Sequence, residues 1–139
     1  MSVQYSSEEP VPAPPLVWEN AGFWEGAKSH QLLFQRCKEC GTWVHPPRPA
    51  CPKCRSFEKE WSPSSGKGVV HSFVTYRESP HPAFKAPYSV VLVEMEEGVR
   101  LISNMVDTAP DDISIGMTVE VVFDDIAEGL TLPKFRKVG

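Results

Sequence analysis

All four cysteines of the chain fall within 18 residues, as two C-x-x-C pairs: Cys37 with Cys40 and Cys51 with Cys54. A C-x-x-C turn delivers two sulfurs to one metal, and four thiolates complete a tetrahedron around it. Gly41 follows the first pair and suits the left-handed backbone that points N–H groups at sulfur. Arg55 holds the equivalent place after the second pair, where a residue with a Cβ is less comfortable. The spacing predicts a structural metal site with these four ligands.

The same ligand set allows more than one metal. Zn²⁺ is favoured, while iron accepts four thiolates in a rubredoxin-type site and stays open as an alternative. A dithiol redox centre would need one reactive pair rather than two matched pairs. A catalytic zinc is disfavoured, because it needs an open coordination position for water and four thiolates leave none. His45, between the pairs, is interpreted as a surface or packing residue.

Charge is unevenly distributed along the chain, which has a net charge of −4. The stretch from Lys28 to Lys59 has seven basic and two acidic residues, a balance of +5, and the remainder has seven basic and 16 acidic, a balance of −9. A Zn²⁺ ion bound by four thiolates has a net charge of −2. About +3 of the segment's balance of +5 therefore remains near the site, which favours an anionic ligand. The overall acidity argues against a general nucleic-acid binder.

No arrangement of side chains predicts catalysis. The histidines other than His45 lie in unrelated segments, and the pairs Asp111-Asp112 and Asp124-Asp125 are interpreted as solvated turns. The stretch "SGKG" lacks the frame of a phosphate-binding loop. No apolar run approaches the ~20 residues of a membrane span, and the N-terminus lacks the layout of a signal peptide. We therefore predict no catalytic residues, no membrane segment and a cytoplasmic location.

Composition divides the chain into four segments. Residues 1–15 are predicted to form a disordered or extended Pro-rich arm, residues 16–30 a short aromatic helix, residues 31–62 a ribbon that carries the cysteines, and residues 63–139 a barrel. In the helix, Trp18, Phe23 and Trp24 have two equally weighted interpretations: they fill a small core, or they anchor a partner protein.

The C-terminal segment shows the alternation of apolar and polar residues that is typical of β-strands. In "MTVEVVFDD", the residues Met117, Val119, Val121 and Phe123 are predicted to face inward, and Pro133 is expected only on an edge strand. Five such strands favour a small closed barrel over an open sheet, because closure removes exposed edges. The predicted fold class is mainly β.

The chain resembles a known family, the proteins grouped as domain of unknown function thirty-five. The likeness spans about residues 16–139 and is carried by "FWEGAKSHQLLFQRCKECGTWVHPPRPACPKC", "SGKGVVHSFVTYRE", "VVLVEMEEGVRLISNMV" and "IGMTVEVVFDD". The chain departs from the family pattern at Arg55, because that pattern has glycine directly after the second C-x-x-C pair. The resemblance implies a rubredoxin-like zinc ribbon joined to a five-stranded OB-fold.

The resemblance also implies a function: an accessory subunit bound to a thiolase-superfamily acyl-CoA enzyme in a hetero-oligomer, in some members an aldolase or hydratase of steroid side-chain degradation. The partner would supply the catalytic residues, and acyl-CoA would lie at the shared interface. Arg48 and Lys53 are candidates for contact with the CoA phosphates.

Two other classes of function remain as alternatives. Nucleic-acid binding would use the aromatic residues Phe73, Tyr76 and Phe123 of the barrel, although they lie in the acidic part of the chain. A stand-alone enzyme is disfavoured because no nucleophile is paired with a base.

Overall fold

The computed structural model describes residues 20–78, 87–127 and 130–138. It contains one α-helix, a three-stranded sheet and a closed five-stranded barrel. The elements are α1 (Ala21–Lys28), β1 (Leu33–Cys37), β2 (Trp43–Val44), β3 (Lys59–Pro63), β4 (Lys67–Tyr76), β5 (Tyr88–Met95), β6 (Arg100–Val106), a 3₁₀ helix (Pro110–Asp112), β7 (Thr118–Ala127) and β8 (Leu130–Lys137). The predicted mainly β class is confirmed.

The ribbon is an antiparallel sheet with the order β2-β1-β3. Its central strand β1 places Gln35 opposite both Val44 of β2 and Trp61 of β3. The chain between β2 and β3 carries the second cysteine pair back to the end of β1, where Cys37 stands opposite Lys59. Strand pairing therefore brings together two cysteine pairs that are separated by ten residues along the chain.

The barrel closes in the order β4-β5-β6-β8-β7. Neighbouring strands run antiparallel except for β6 and β8, which pair in parallel at Met105 with Phe135 and Val106 with Arg136. This is the five-stranded barrel predicted from the sequence. Its interior is filled by side chains at most 1% exposed, namely Val70, Val91, Val93, Val119 and Phe135.

Helix α1 and the ribbon share one apolar core with the barrel. Phe23, Leu32 and Phe34 belong to the same contiguous cluster as the barrel interior. Gly22 permits this packing, since a Cβ at that position would lie 2.2 Å from the indole ring of Trp61. A glycine that weakens the isolated helix thus allows the helix to lie flat against the ribbon.

The four residues predicted to face inward in and just before β7 do pack against the core, although burial does not alternate cleanly along the strand. Val119 is fully buried, and Met117, Val121 and Phe123 pack partly buried against the core. The interpretation of Asp124-Asp125 as a solvated turn is wrong, because both residues lie within β7. Asp124 Oδ2 instead accepts a hydrogen bond from the buried Lys134 Nζ at 2.7 Å.

The expectation that Pro133 lies on an edge strand is also wrong. Strand β8 has neighbours on both sides, and Pro133 stands opposite Phe123 of β7. The parallel ladder to β6 begins only at Phe135. A proline is tolerated here because the regular pairing with β6 has not yet started at its position.

The second half of β4 extends past the closed part of the barrel. Over the described residues, β4 pairs with β7 only from Lys67 to Val69, whereas its pairing with β5 continues to Tyr76. Phe73, Val74 and Tyr76 are 39%, 52% and 39% exposed. Residues 71–76, called the β4 arm below, thus present apolar side chains and one open backbone edge.

Several sequence predictions fall outside the described residues. The Pro-rich arm of residues 1–15, Trp18 and His81 are among them. Over the part of the chain that it describes, the structure contains no helix with the length and apolar character of a membrane-spanning segment.

Candidate metal centre

The four cysteine sulfurs converge on one point. Their Sγ atoms all lie within 4.8 Å of one another, with Cys37 to Cys54 at 3.5 Å and Cys40 to Cys51 at 3.6 Å. A tetrahedron with Zn–S bonds of ~2.3 Å has edges of about 3.8 Å. The residues present therefore fit a four-coordinate metal, and they would hold it as a closed site without a place for water.

The two C-x-x-C turns have nearly the same backbone. The N–H of Gly41 donates to Cys37 O at 3.0 Å, and the N–H of Arg55 donates to Cys51 O at 2.8 Å. Gly41 has φ of +76° and Arg55 has φ of +66°. Arg55 therefore adopts the left-handed conformation that glycine adopts in the first turn, and the turn geometry does not depend on a second glycine.

Hydrogen bonds to two of the four sulfurs, those of Cys40 and Cys51, favour the thiolate, the form that binds metal. The Thr42 hydroxyl, 3.0 Å from Cys40 Sγ, together with the Thr42 backbone N–H lowers the pKa of Cys40 to about 6. The backbone N–H of Cys54, 3.5 Å from Cys51 Sγ, is the main cause that lowers the pKa of Cys51.

The basic side chains near the centre have different surroundings. The Arg36 guanidinium lies 4.8 Å from the centroid of Trp43 and donates through Nε to Gly41 O, so it is bound within the ribbon. Arg48 and Lys53, the predicted phosphate contacts, are both exposed, and neither side chain forms an ion pair within the described residues. The backbones of both residues are held: the Arg48 N–H donates to Gln35 Oε1 at 2.9 Å, and the Lys53 N–H donates to Cys51 Sγ at 3.4 Å.

The helix aromatics lie where the ribbon meets the barrel. Phe23 is 6% exposed, with its ring 4.9 Å from Trp24 and 5.4 Å from His45 between centroids. The core interpretation therefore applies to Phe23 in this chain, whereas Trp24 is only partly buried. His45 is a packing residue, between Phe23 and Phe34, and burial lowers its pKa to about 4.

Sequence reasoning missed two polar pairs on the barrel. Lys134 is 1% exposed and its ammonium contacts Asp124, while His30 Nε2 contacts the Asp125 carboxylate at 3.1 Å. His30 also stacks on Phe123 with centroids 5.2 Å apart, which covers one of the three aromatic residues proposed for nucleic-acid stacking. Only the unusual lysine in the apolar stretch "LTLPKF" signalled the first pair.

A four-cysteine ribbon packed through a short helix onto a five-stranded barrel defines a class: proteins that combine a rubredoxin-like zinc ribbon with an OB-fold. Two family models match, "ChsH2, rubredoxin-like zinc ribbon domain" over residues 24–60 and "ChsH2, C-terminal OB-fold domain" over residues 61–124. A DUF35 domain-containing scaffold protein of Methanocaldococcus jannaschii is 43% identical over 108 residues, covering 76% of this chain and 77% of that protein. The chain belongs to the DUF35 family.

Two further relatives have names or titles that refer to enzymes. A protein of Thermomonospora curvata named probable enoyl-CoA hydratase alpha subunit is 46% identical over 125 residues, which is 90% of this chain but only 39% of that protein. A solved structure titled "Ltp2-ChsH2(DUF35) aldolase" contains a chain with a TM-score of 0.86 and 45% identity. That match covers 90% of this chain and 98% of the other.

Proposed function

We propose that this chain is a non-catalytic accessory subunit that docks on a thiolase-superfamily acyl-CoA enzyme and helps to form its acyl-CoA channel. The observation that carries this proposal is the similarity to the DUF35 chain of an aldolase, at 45% identity over 98% of that chain. The hydratase subunit, in contrast, is matched over 39% of its length. The portion shared with this chain thus corresponds to a whole subunit in the aldolase and to a part of one in the hydratase.

The β4 arm supports the proposal from the structure itself. It combines an edge that pairs with no other strand among the described residues with exposed Phe73, Val74 and Tyr76. Tyr76 also stacks on Tyr88 of β5 at 5.0 Å between centroids. Exposed apolar side chains beside an open strand edge are typical of surfaces that a partner covers. We expect the thiolase-like subunit to cover the arm.

The test is co-expression with thiolase-superfamily proteins, followed by size-exclusion chromatography with light scattering. The expected result is a complex that contains both chains. Val74→Asp on the arm should weaken the complex at least about tenfold, since it places a charge within the buried contact. Thr118→Asp adds the same charge to an exposed position on β7 and should leave binding within about twofold.

Failure to form any complex with thiolase-superfamily proteins would refute the docking role. Turnover of an acyl-CoA by the purified chain alone would refute the non-catalytic role. A complex that tolerates Val74→Asp as well as Thr118→Asp would place the contact away from the arm and leave the docking role standing.

The metal is proposed to be zinc, and its role structural, because four thiolates close the site. Elemental analysis of the purified chain should give one zinc per chain, and iron would show instead as a coloured protein. The cytoplasmic location remains a prediction.

Arg48 and Lys53 remain proposed contacts for the CoA phosphates. Their replacement by alanine should lower the affinity of the assembled complex for CoA more than for pantetheine, which lacks the nucleotide. Lys38→Ala, another exposed lysine beside a cysteine ligand, is the matched control. Equal losses for all three variants would indicate a general charge effect rather than a phosphate site.

A further inference from the structure

The β4 arm has one paired edge and one open edge. Strand β5 pairs with the arm as far as Tyr76, whereas the pairing of β4 with β7 ends at Val69. Val70 makes the last backbone contacts on the β7 side: its N–H donates to Met117 O at 3.0 Å, and its C=O accepts from the Gly116 N–H at 2.7 Å. Beyond Val70, the backbone of the arm forms no hydrogen bond on that side with any residue that the structure describes.

The pairing with β5 determines which backbone groups of the arm point to the open edge. In an antiparallel pair, residues that exchange hydrogen bonds with the neighbouring strand alternate with residues that point away from it. The N–H of Met95 donates at 2.8 Å to the residue just before β6, so every second residue of β5 back to Ser89, Val91 among them, points to β6. Their cross-strand partners on β4 are Thr75 and Phe73, which therefore direct their N–H and C=O groups to the open edge.

Two contacts agree with this assignment. Val93 belongs to the same alternate set of β5, and its partner Val70 does direct its backbone to the β7 side. The hydroxyl groups of Thr75 and Ser89 lie 3.0 Å apart, as expected where the side chains of a pair without mutual hydrogen bonds approach closely. The open edge of the arm thus offers two backbone donors and two acceptors, from Phe73 and Thr75, at the spacing of a strand.

The composition of the arm and of the strand beside it favours an uncharged occupant. Residues 71–76 and 88–93 contain no Asp, Glu, Lys or Arg. Exposed strand edges usually carry charged side chains that prevent pairing with another chain. Here Val74 and Tyr76 remain 52% and 39% exposed on the arm instead. An edge with free backbone groups, apolar side chains and no charge fits an extended, uncharged strand of another protein.

Charge also distinguishes a partner protein from a second copy of this chain. Residues 63–139 contain seven basic and 11 acidic residues, a balance of −4, so two barrels placed edge to edge would repel each other. We propose that the thiolase-superfamily partner adds an extended, uncharged strand to the β4 arm, with Phe73 and Thr75 as the positions that hydrogen-bond its backbone. The inference rests on the proposed function and specifies how the partner covers the arm.

The experiment measures hydrogen exchange of the metal-loaded full chain, alone and in the complex obtained by co-expression, with single-residue resolution from electron-transfer fragmentation. In the isolated chain, the amides of Val74 and Tyr76 should exchange slowly because they pair with β5, and those of Phe73 and Thr75 should exchange fast. Complex formation should slow exchange at Phe73 and Thr75 at least about tenfold more than at Val74 and Tyr76. Contact through side chains alone does not produce this alternation.

A proline variant tests one of the two donors directly. Thr75→Pro removes an N–H that faces the open edge and is not used in the ladder with β5. Thr75→Ala is the matched control, because it also removes the hydroxyl contact with Ser89 but keeps the N–H. The proline variant should bind the partner at least about tenfold more weakly than the alanine variant, since a carbonyl of the added strand loses its donor. If the proline variant does not fold, the exchange measurement on the unmodified chain decides.

Three results would overturn the proposal. Equal slowing of all four amides, or no slowing, in a complex that has formed refutes strand addition and leaves the accessory role intact. Slow exchange at Phe73 and Thr75 in the isolated chain at every concentration would mean that another segment of this chain occupies the edge. Protection that rises with the concentration of the isolated chain would mean that a second copy occupies it. Absence of any complex refutes the proposed function itself, and this inference with it.

Discussion

Between Cys37 and Cys54 the ribbon buries only Val44 besides two of the cysteines, Cys37 and Cys51, whereas the barrel interior is filled by large apolar side chains from all five strands. Beyond the shared core around Phe34, little apolar area is available to hold the ribbon tip, and four sulfurs meet there instead. The barrel distributes its stability over many side chains. The ribbon concentrates its stability in one coordination centre, and the two regions should therefore respond to different perturbations.

Removal of the metal should have the largest effect and should separate the two regions. Structural zinc contributes on the order of 10 kcal/mol to folding of small domains, because the unfolded chain has no preformed site. A chelator, or Cys51→Ser, should abolish amide protection over residues 37–59 while the strands of the barrel keep theirs. Hydrogen exchange followed by mass spectrometry measures both regions in one experiment.

The matched control is Lys38→Ala, an exposed residue beside a ligand, which should leave protection of both regions unchanged. If barrel protection is lost together with that of the ribbon, the two regions unfold as one unit through the shared core. The contrast between a metal-held tip and a core-held barrel would then be wrong.

Phe135→Ala tests the other side of the comparison. Phe135 is fully buried in β8, opposite Met105 and Val121, and its truncation leaves a cavity that costs about 3–5 kcal/mol. Denaturant unfolding should show this loss, while metal content stays at one ion per chain. A variant that loses metal as readily as Cys51→Ser would show that barrel packing also maintains the coordination centre.

The ribbon site could be predicted from the sequence because its chemistry is local. Two short turns carry all four ligands, and Arg55 only takes up the conformation that Gly41 takes up in the first turn. The strands of the barrel were predictable for a similar reason, since the alternation through Val119 and Val121 is visible residue by residue.

The Lys134–Asp124 pair was not predictable because it depends on pairing between segments that are distant along the chain. The strand register places Asp124 of β7 opposite Leu132, two residues from Lys134, and this register makes Asp124 the partner of the buried lysine. Likewise Phe23 and His45 are 22 positions apart, and their rings come into contact only because the loop after β2 packs on helix α1. Pro133 was misassigned for the same reason, because the sequence does not show where a parallel ladder starts.

The junction between ribbon and barrel should be sensitive to pH through His45. Its pKa in the folded chain is about 4, below the ordinary 6.5, so the unfolded chain binds more protons between these values. Stability is therefore fully present above about pH 6.5 and is lost as the pH falls towards 4. At pH 5 the loss should be about 2 kcal/mol, measured as a lower melting temperature.

His45→Phe keeps a ring against Phe23 and Phe34 and removes the titrating group. The variant should lose less stability than the parent chain between pH 7 and pH 5, and the difference isolates His45 from protonation of the cysteines, which both proteins share. Identical pH profiles would mean that the imidazole is not desolvated at the junction.

The smallest expected effect compares the two metal-binding turns. Arg55 has φ of +66°, a conformation that costs a residue with a Cβ about 1 kcal/mol and that glycine adopts freely. Arg55→Gly and Arg55→Ala remove the same charge, so the difference between them reports the backbone alone. The glycine variant should hold the metal about 3- to 5-fold more tightly than the alanine variant in competition with a chelator. Gly41→Ala in the first turn should weaken binding by a similar factor, because Gly41 has φ of +76°. Equal affinities for the two Arg55 variants would show that the second turn relaxes at no cost, and that the coordination centre tolerates more variation in its turns than the barrel tolerates in its core.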